Sequence, residues 1–158
     1  MLNLILALKF VHMIAMAVMF GTWLGIALFM MFAHRMGHTS VVALISVFVV
    51  RAEIWVMAGA VLLQPLIGFA LALAIGASMS AYWLEVSVAI YAGVVLIWMG
   101  CLLIEMRIRR LSKDAAVAKA PLPRSYGRLF SVWRVFTAVG LIGMIAIMAL
   151  MIWQPQWS

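Results

Sequence analysis

The sequence predicts an all-α fold, a four-transmembrane-helix bundle forming a single domain over residues 1–158, and three observations carry that prediction. Of the 158 residues, 69% are hydrophobic and 9% are charged, with a mean hydropathy of +1.24. A soluble domain carries about 25% charged residues, so this composition excludes a soluble enzyme core, a nucleic-acid module and a disordered tail. Four windows each supply the roughly 20 mainly apolar residues that cross about 30 Å of hydrocarbon. The basic residues, finally, crowd into two of the connections between those windows.

The first window covers 2–32 and is closed by His34, Arg35, Gly37 and His38. No basic segment precedes it and no short apolar core ends at an A-x-A site, so it is expected to be retained rather than cleaved as a signal. The second window lies at 54–75. Apolar sequence begins earlier, at Val41, but a span framed from there would place Arg51 and Glu53 near mid-membrane, at a cost of about 2.5–3.5 kcal/mol for an Arg or Asp. A helix capped by Thr39 or Ser40 and unbroken to Gly76 would be about 54 Å long. Residues 41–50 must then protrude, lie in the interface or be covered by protein. Pro65, following Gln64, is expected to kink this helix. The third window is 82–104 and the fourth 129–153, separated by a basic loop at 107–128 in which Pro121 and Pro123 cannot continue a helix.

Charge placement predicts the orientation. Arg35 and Arg51 flank the first connection, and Arg107, Arg109, Arg110, Lys113, Lys119, Arg124 and Arg128 crowd the third, while 77–81 and 154–158 carry no charge. By the positive-inside rule the basic connections are cytoplasmic, so both termini are periplasmic in a multi-pass protein of a bacterial inner membrane. Trp83, Trp153 and Trp157 then mark the outer boundary and Trp55 and Trp133 the inner one. The net charge of +7 is accounted for by these loops, with no nucleic-acid partner required. The single cysteine, Cys101, excludes a disulfide framework and a CxxCH haem attachment.

Ionisable residues inside spans are functional candidates because they are costly there. His12 lies about 15 Å along the first helix, with Lys9 and Met16 on the same face. Three readings stay open for it: an interhelical hydrogen bond, ligation of haem or a metal, and a proton relay. Lys9 and Glu85 share the outer half, where they pair with each other, accept a proton or bind a propionate. Glu53, Glu105, Arg128 and Arg134 fall at similar depth and are expected to form inter-helix ion pairs, although arginine forks also bind ligand carboxylates. The 14 methionines are read as packing residues, even though thioethers near an imidazole, as at Met13, Met16 and Met19, suit Cu(I). Gly21-x-x-x-Gly25 permits close helix approach.

Several stretches resemble a family of small bacterial integral membrane proteins grouped as a domain of unknown function: Leu8-Lys9-Phe10-Val11-His12, Phe20-Gly21-Thr22-Trp23-Leu24-Gly25, Ala33-His34-Arg35, Val61-Leu62-Leu63-Gln64-Pro65, Trp83-Leu84, Met106-Arg107 and Leu122-Pro123-Arg124-Ser125-Tyr126-Gly127-Arg128-Leu129-Phe130. More distantly, the first helix is similar to those of the J-type protoporphyrinogen oxidases and the copper-resistance D membrane proteins. Lys9-Phe10-Val11-His12 stands near the K-x-F-H segment of the former, His34 follows, and Trp83-Leu84 leads into the third helix. That resemblance implies His12 as an axial ligand of haem b. Where those enzymes carry a lysine after the Trp-Leu, this chain reads Glu85-Val86-Ser87, so porphyrinogen oxidation is not implied.

The resulting expectation is a haem-b-binding integral membrane protein with a redox or electron-transfer role, whether or not it is an enzyme. His12 would be the axial metal ligand, with Lys9, Arg51 and Arg134 as partners of the propionates. The competing readings are a non-catalytic membrane subunit or assembly factor, and a copper or small-solute transporter. The lipid bilayer is one expected partner, and a second copy or another membrane subunit docked through 41–50 is the other.

Overall fold

A computed structural model describes residues 2–155, which are helical with short connections and, among the described residues, form no strand. Helix α1 covers Leu2–Met36, α2 Thr39–Ala52, a π-helical turn Glu53–Met57, α3 Ala58–Ala74, α4 Tyr82–Val117 and α5 Arg124–Trp153. Because α2, the π turn and α3 run on without interruption, four helices are long and apolar enough to cross a membrane.

Three boundaries differ from the sequence expectation. The second long helix begins at Thr39 with His38 as its N-cap and no side-chain cap, so neither Thr39 nor Ser40 serves that role. Inside it lies the unforeseen π turn, a wide turn closed by i→i+5 bonds, which leaves Glu53 and Met57 both fully buried. The expected loop at 107–128 is largely helical. Helix α4 continues to Val117 because Ile108, Ser112 and Ala115, spaced i, i+4, i+7, are buried on one face while Arg107, Arg109, Arg110 and Lys113 face outward. The irregular connection shrinks to residues 118–123.

This extension answers what covers one face of 41–50. Val42, Ser46, Val49 and Val50 are buried, and Ser46 shares a hydrogen bond of 3.2 Å with Ser112 on α4. Thr39 Oγ1 donates to the carbonyl of Ala120 at 3.2 Å. The opposite face stays open, with Leu44 and Phe48 each 59% exposed.

Lipid tails are as apolar as the helices, so close packing and hydrogen bonds must hold the bundle together. Trp23 of α1 is fully buried over Gly140 of α5, where a Cβ would lie 2.1 Å from the indole ring. Gly143 admits Val94 in the same manner, at 2.7 Å. Gly21 and Gly25, by contrast, have no atom within 4 Å of an added Cβ. They line a shallow groove with Phe29 and Phe48, so among the described residues no helix packs closely onto the Gly-x-x-x-Gly motif.

Candidate functional site

At the end of the bundle that carries Leu2 and Trp153, helices α1, α3, α4 and α5 diverge around a partly open cavity of about 940 Å³. That volume lies in the range of drug-sized ligand and cofactor sites. The walls are mainly apolar, and His12 and Lys9 from α1, Gln64 and Gly68 from α3, Glu85 and Tyr91 from α4 supply much of its chemical character. Six methionines, Met13, Met16, Met19, Met79, Met144 and Met151, line it as well. The sequence placed these thioethers on several helix faces; the fold brings them to one space.

His12 forms part of the wall. Its ring packs against Gly68, where a Cβ would stand 3.0 Å from Cε1, so a side chain there would push the imidazole by a few tenths of an ångström. The Gln64 amide donates through Nε2 to His12 Nε2 at 3.4 Å. In that arrangement the ring proton sits on Nδ1, and Nδ1 is buried without a protein partner. Gln64 Oε1 is also buried and unpaired. His12 Nδ1 and Gln64 Oε1 are thus each buried without a hydrogen-bond partner. Tyr91 and Ser87 do not add to these, because their hydroxyls donate to the Val61 and Trp83 carbonyls at 2.6 Å each.

Of the four residues expected to hold a cofactor, the fold brings His12 and Lys9 to the cavity and leaves Arg51 and Arg134 elsewhere. Lys9 and Glu85 both line the cavity and both stay exposed. Arg51 and Arg134 are exposed and do not line the cavity. Helix phase explains the second of these: Arg134 follows the fully buried Trp133, and successive helical residues point about 100° apart.

The inner carboxyls correct a further expectation. Glu53 and Glu105 are fully buried, but their partners are indoles and not Arg128 or Arg134, both of which are exposed. Trp98 Nε1 donates to Glu53 Oε2, and Trp133 Nε1 donates to Glu105 Oε1 at 2.7 Å. The second oxygen of each carboxyl has no partner. Cys101, also fully buried, has its Sγ 3.7 Å from Thr137 Oγ1. His34 also has a protein partner: its Nδ1 lies 3.2 Å from the Tyr126 hydroxyl and its ring stacks on Phe130 at 4.0 Å.

Sequence reasoning missed Gln64 as a site residue because it weighed ionisable groups. The usable signal was an uncharged amide within a long apolar span, with a glycine one turn further on.

Four long apolar helices packed in this way define a polytopic, all-helical integral membrane protein. The chain belongs to the predicted integral membrane protein family DUF2269, whose model matches residues 6–155. No curated protein and no solved structure matches it.

Proposed function

We propose that this protein binds a bulky lipophilic molecule in the cavity between α1, α3, α4 and α5, with the polar part of that molecule seated against His12 and Gln64. The observation that carries this reading is the pairing of a large apolar space with two buried polar atoms that the protein leaves unmet. Buried polar groups in native proteins normally have partners, and a ligand would supply them here. The methionines support the same reading, since unbranched thioethers adapt to irregular apolar surfaces.

Haem b ligated by His12 is the narrower form of this proposal, and the residues as they stand do not fit it. Nε2 is engaged by Gln64, and of the three cationic side chains assigned to the propionates Lys9 alone lines the cavity. A haem site would require Gln64 to release the ring. The test is to purify the protein with native lipid and analyse its organic extract by mass spectrometry and its absorption spectrum. The expected result is a stoichiometric lipophile that is lost from His12→Ala, with no Soret band. A Soret band that disappears in His12→Ala would replace this reading with haem binding. An extract matching bulk lipid in both proteins would overturn ligand binding altogether.

A further inference from the structure

We propose a second binding site at the end of the bundle away from the cavity, where the outer seam between α4 and α5 holds the head group of an anionic phospholipid. Two contacts set the register of that seam. Cys101 Sγ lies 3.7 Å from Thr137 Oγ1, and Trp133 Nε1 donates to Glu105 Oε1 at 2.7 Å. Four residues forward on α4 thus match four residues back on α5, which places Arg110 opposite Arg128 and Asp114 opposite Arg124. The seam closes where a Cβ added at Gly100 would stand 3.6 Å from the Phe136 ring. Arg107 follows Gly100 by seven residues and so shares its face of α4. On α5, Val132 and Arg128 precede Phe136 at four-residue intervals along one side of the helix.

Along this seam the surface changes from apolar to basic. Leu96, Leu103, Val132 and Phe136 are exposed, and Arg107, Arg110, Arg124 and Arg128, also exposed, lie beyond them. Asp114 is the sole acidic residue between Arg107 and Arg128. Among the described residues none of the four guanidiniums has a hydrogen-bond or ion-pair partner. The change falls at the depth of a head-group layer. Counted from Trp153 at the far end of α5, about 31 Å of helix reaches Val132, which matches the roughly 30 Å of a hydrocarbon core, and Arg128 lies one turn further.

A phospholipid has the same two-part character. Its acyl chain can follow Leu103 and Val132, which brings the phosphate to the level of the arginines, whose planar forks bind phosphate bidentately. A free phosphate would use the basic half alone, and an acidic protein segment would leave the apolar half uncovered. A zwitterionic head brings its own cation to a place where four guanidiniums face one carboxylate, so a net negative head is favoured.

The test reconstitutes the full-length protein in phosphatidylcholine bilayers with phosphatidylglycerol as a minor component, extracts it in mild detergent and counts the retained lipids by mass spectrometry. Phosphatidylglycerol should be retained in preference to phosphatidylcholine. Arg107→Gln and Arg128→Gln should each lower that preference about fivefold, whereas Arg35→Gln, which removes an exposed cation from α1, should leave it within about twofold. Retained phosphatidylcholine shows that a variant is inserted; should either seam variant fail to insert, Arg110→Gln is read in its place. Retention of both lipids in proportion to the bilayer would overturn the site, and an equal loss in Arg35→Gln would reduce it to diffuse surface charge. Displacement of phosphatidylglycerol by millimolar inorganic phosphate would assign the arginines to a free anion, and displacement by polyglutamate would assign them to an acidic protein; either result overturns the lipid site.

Discussion

Glu105 shows how far depth along a helix can mislead when phase is left out. Its burial as an ionisable group within a span was legible, and so was the presence of Arg128 and Arg134 at similar depth. Depth alone could not show that Trp133, one residue before Arg134, occupies the inward position. Replacing Trp133 by Phe removes the N–H that Glu105 Oε1 accepts and leaves both carboxyl oxygens unpaired. The expected loss is about 1–3 kcal/mol, read as a lower midpoint of unfolding in mixed micelles. Adding Glu105→Leu to Trp133→Phe should restore part of that loss; no difference between Trp133→Phe and wild type would show that the bond contributes nothing. Glycines provide a second comparison at this scale. Gly140→Ala forces a Cβ into the Trp23 ring and should cost about 1–3 kcal/mol, whereas Gly21→Ala meets open space and should be close to neutral.

The second long helix is where local pattern and tertiary packing part company. Its length was legible from the unbroken apolar sequence between Thr39 and Gly76, and so was the problem posed by 41–50. The π turn was not, because one wide turn leaves the average apolar spacing almost unchanged. Nor was the length of α4, since a run rich in arginine resembles a loop until the buried stripe of Ile108, Ser112 and Ala115 is recognised. The π turn sets the rotation of α2 relative to α3. Deleting Ile54 from it should restore ordinary helical spacing and turn α2 by about 100°, moving Ser46 away from Ser112. With Ser46→Cys and Ser112→Cys in place, the intact chain should form an internal crosslink on oxidation, because the two hydroxyls are 3.2 Å apart. The deletion variant should not. Equal crosslinking in both would show that the π turn does not control the register of α2 on α4.

For the whole molecule, the number and order of spanning helices were legible because charge and apolar length are properties of the sequence alone. The cavity was not. It arises where α1, α3, α4 and α5 separate at one end, and its chemistry depends on Gln64 and Gly68 of α3 and on six methionines drawn from α1, α5 and the connection before α4. The positive-inside rule predicts that the end bearing the cavity faces the periplasm. A reporter active only in the periplasm should therefore work when fused after Ser158 and fail when inserted at Ala118; the reverse pattern would place the cavity on the cytoplasmic side. The most direct measurement for the central claim is an experimental density map of the wild-type protein purified in native lipid, compared with one of His12→Ala. The wild type is expected to show elongated density in the cavity, with a polar group within hydrogen-bond reach of His12 Nδ1 or Gln64 Oε1, and the variant should lack its polar end. A cavity closed by methionine side chains, with Nδ1 bonded to another group of the protein, would contradict the account.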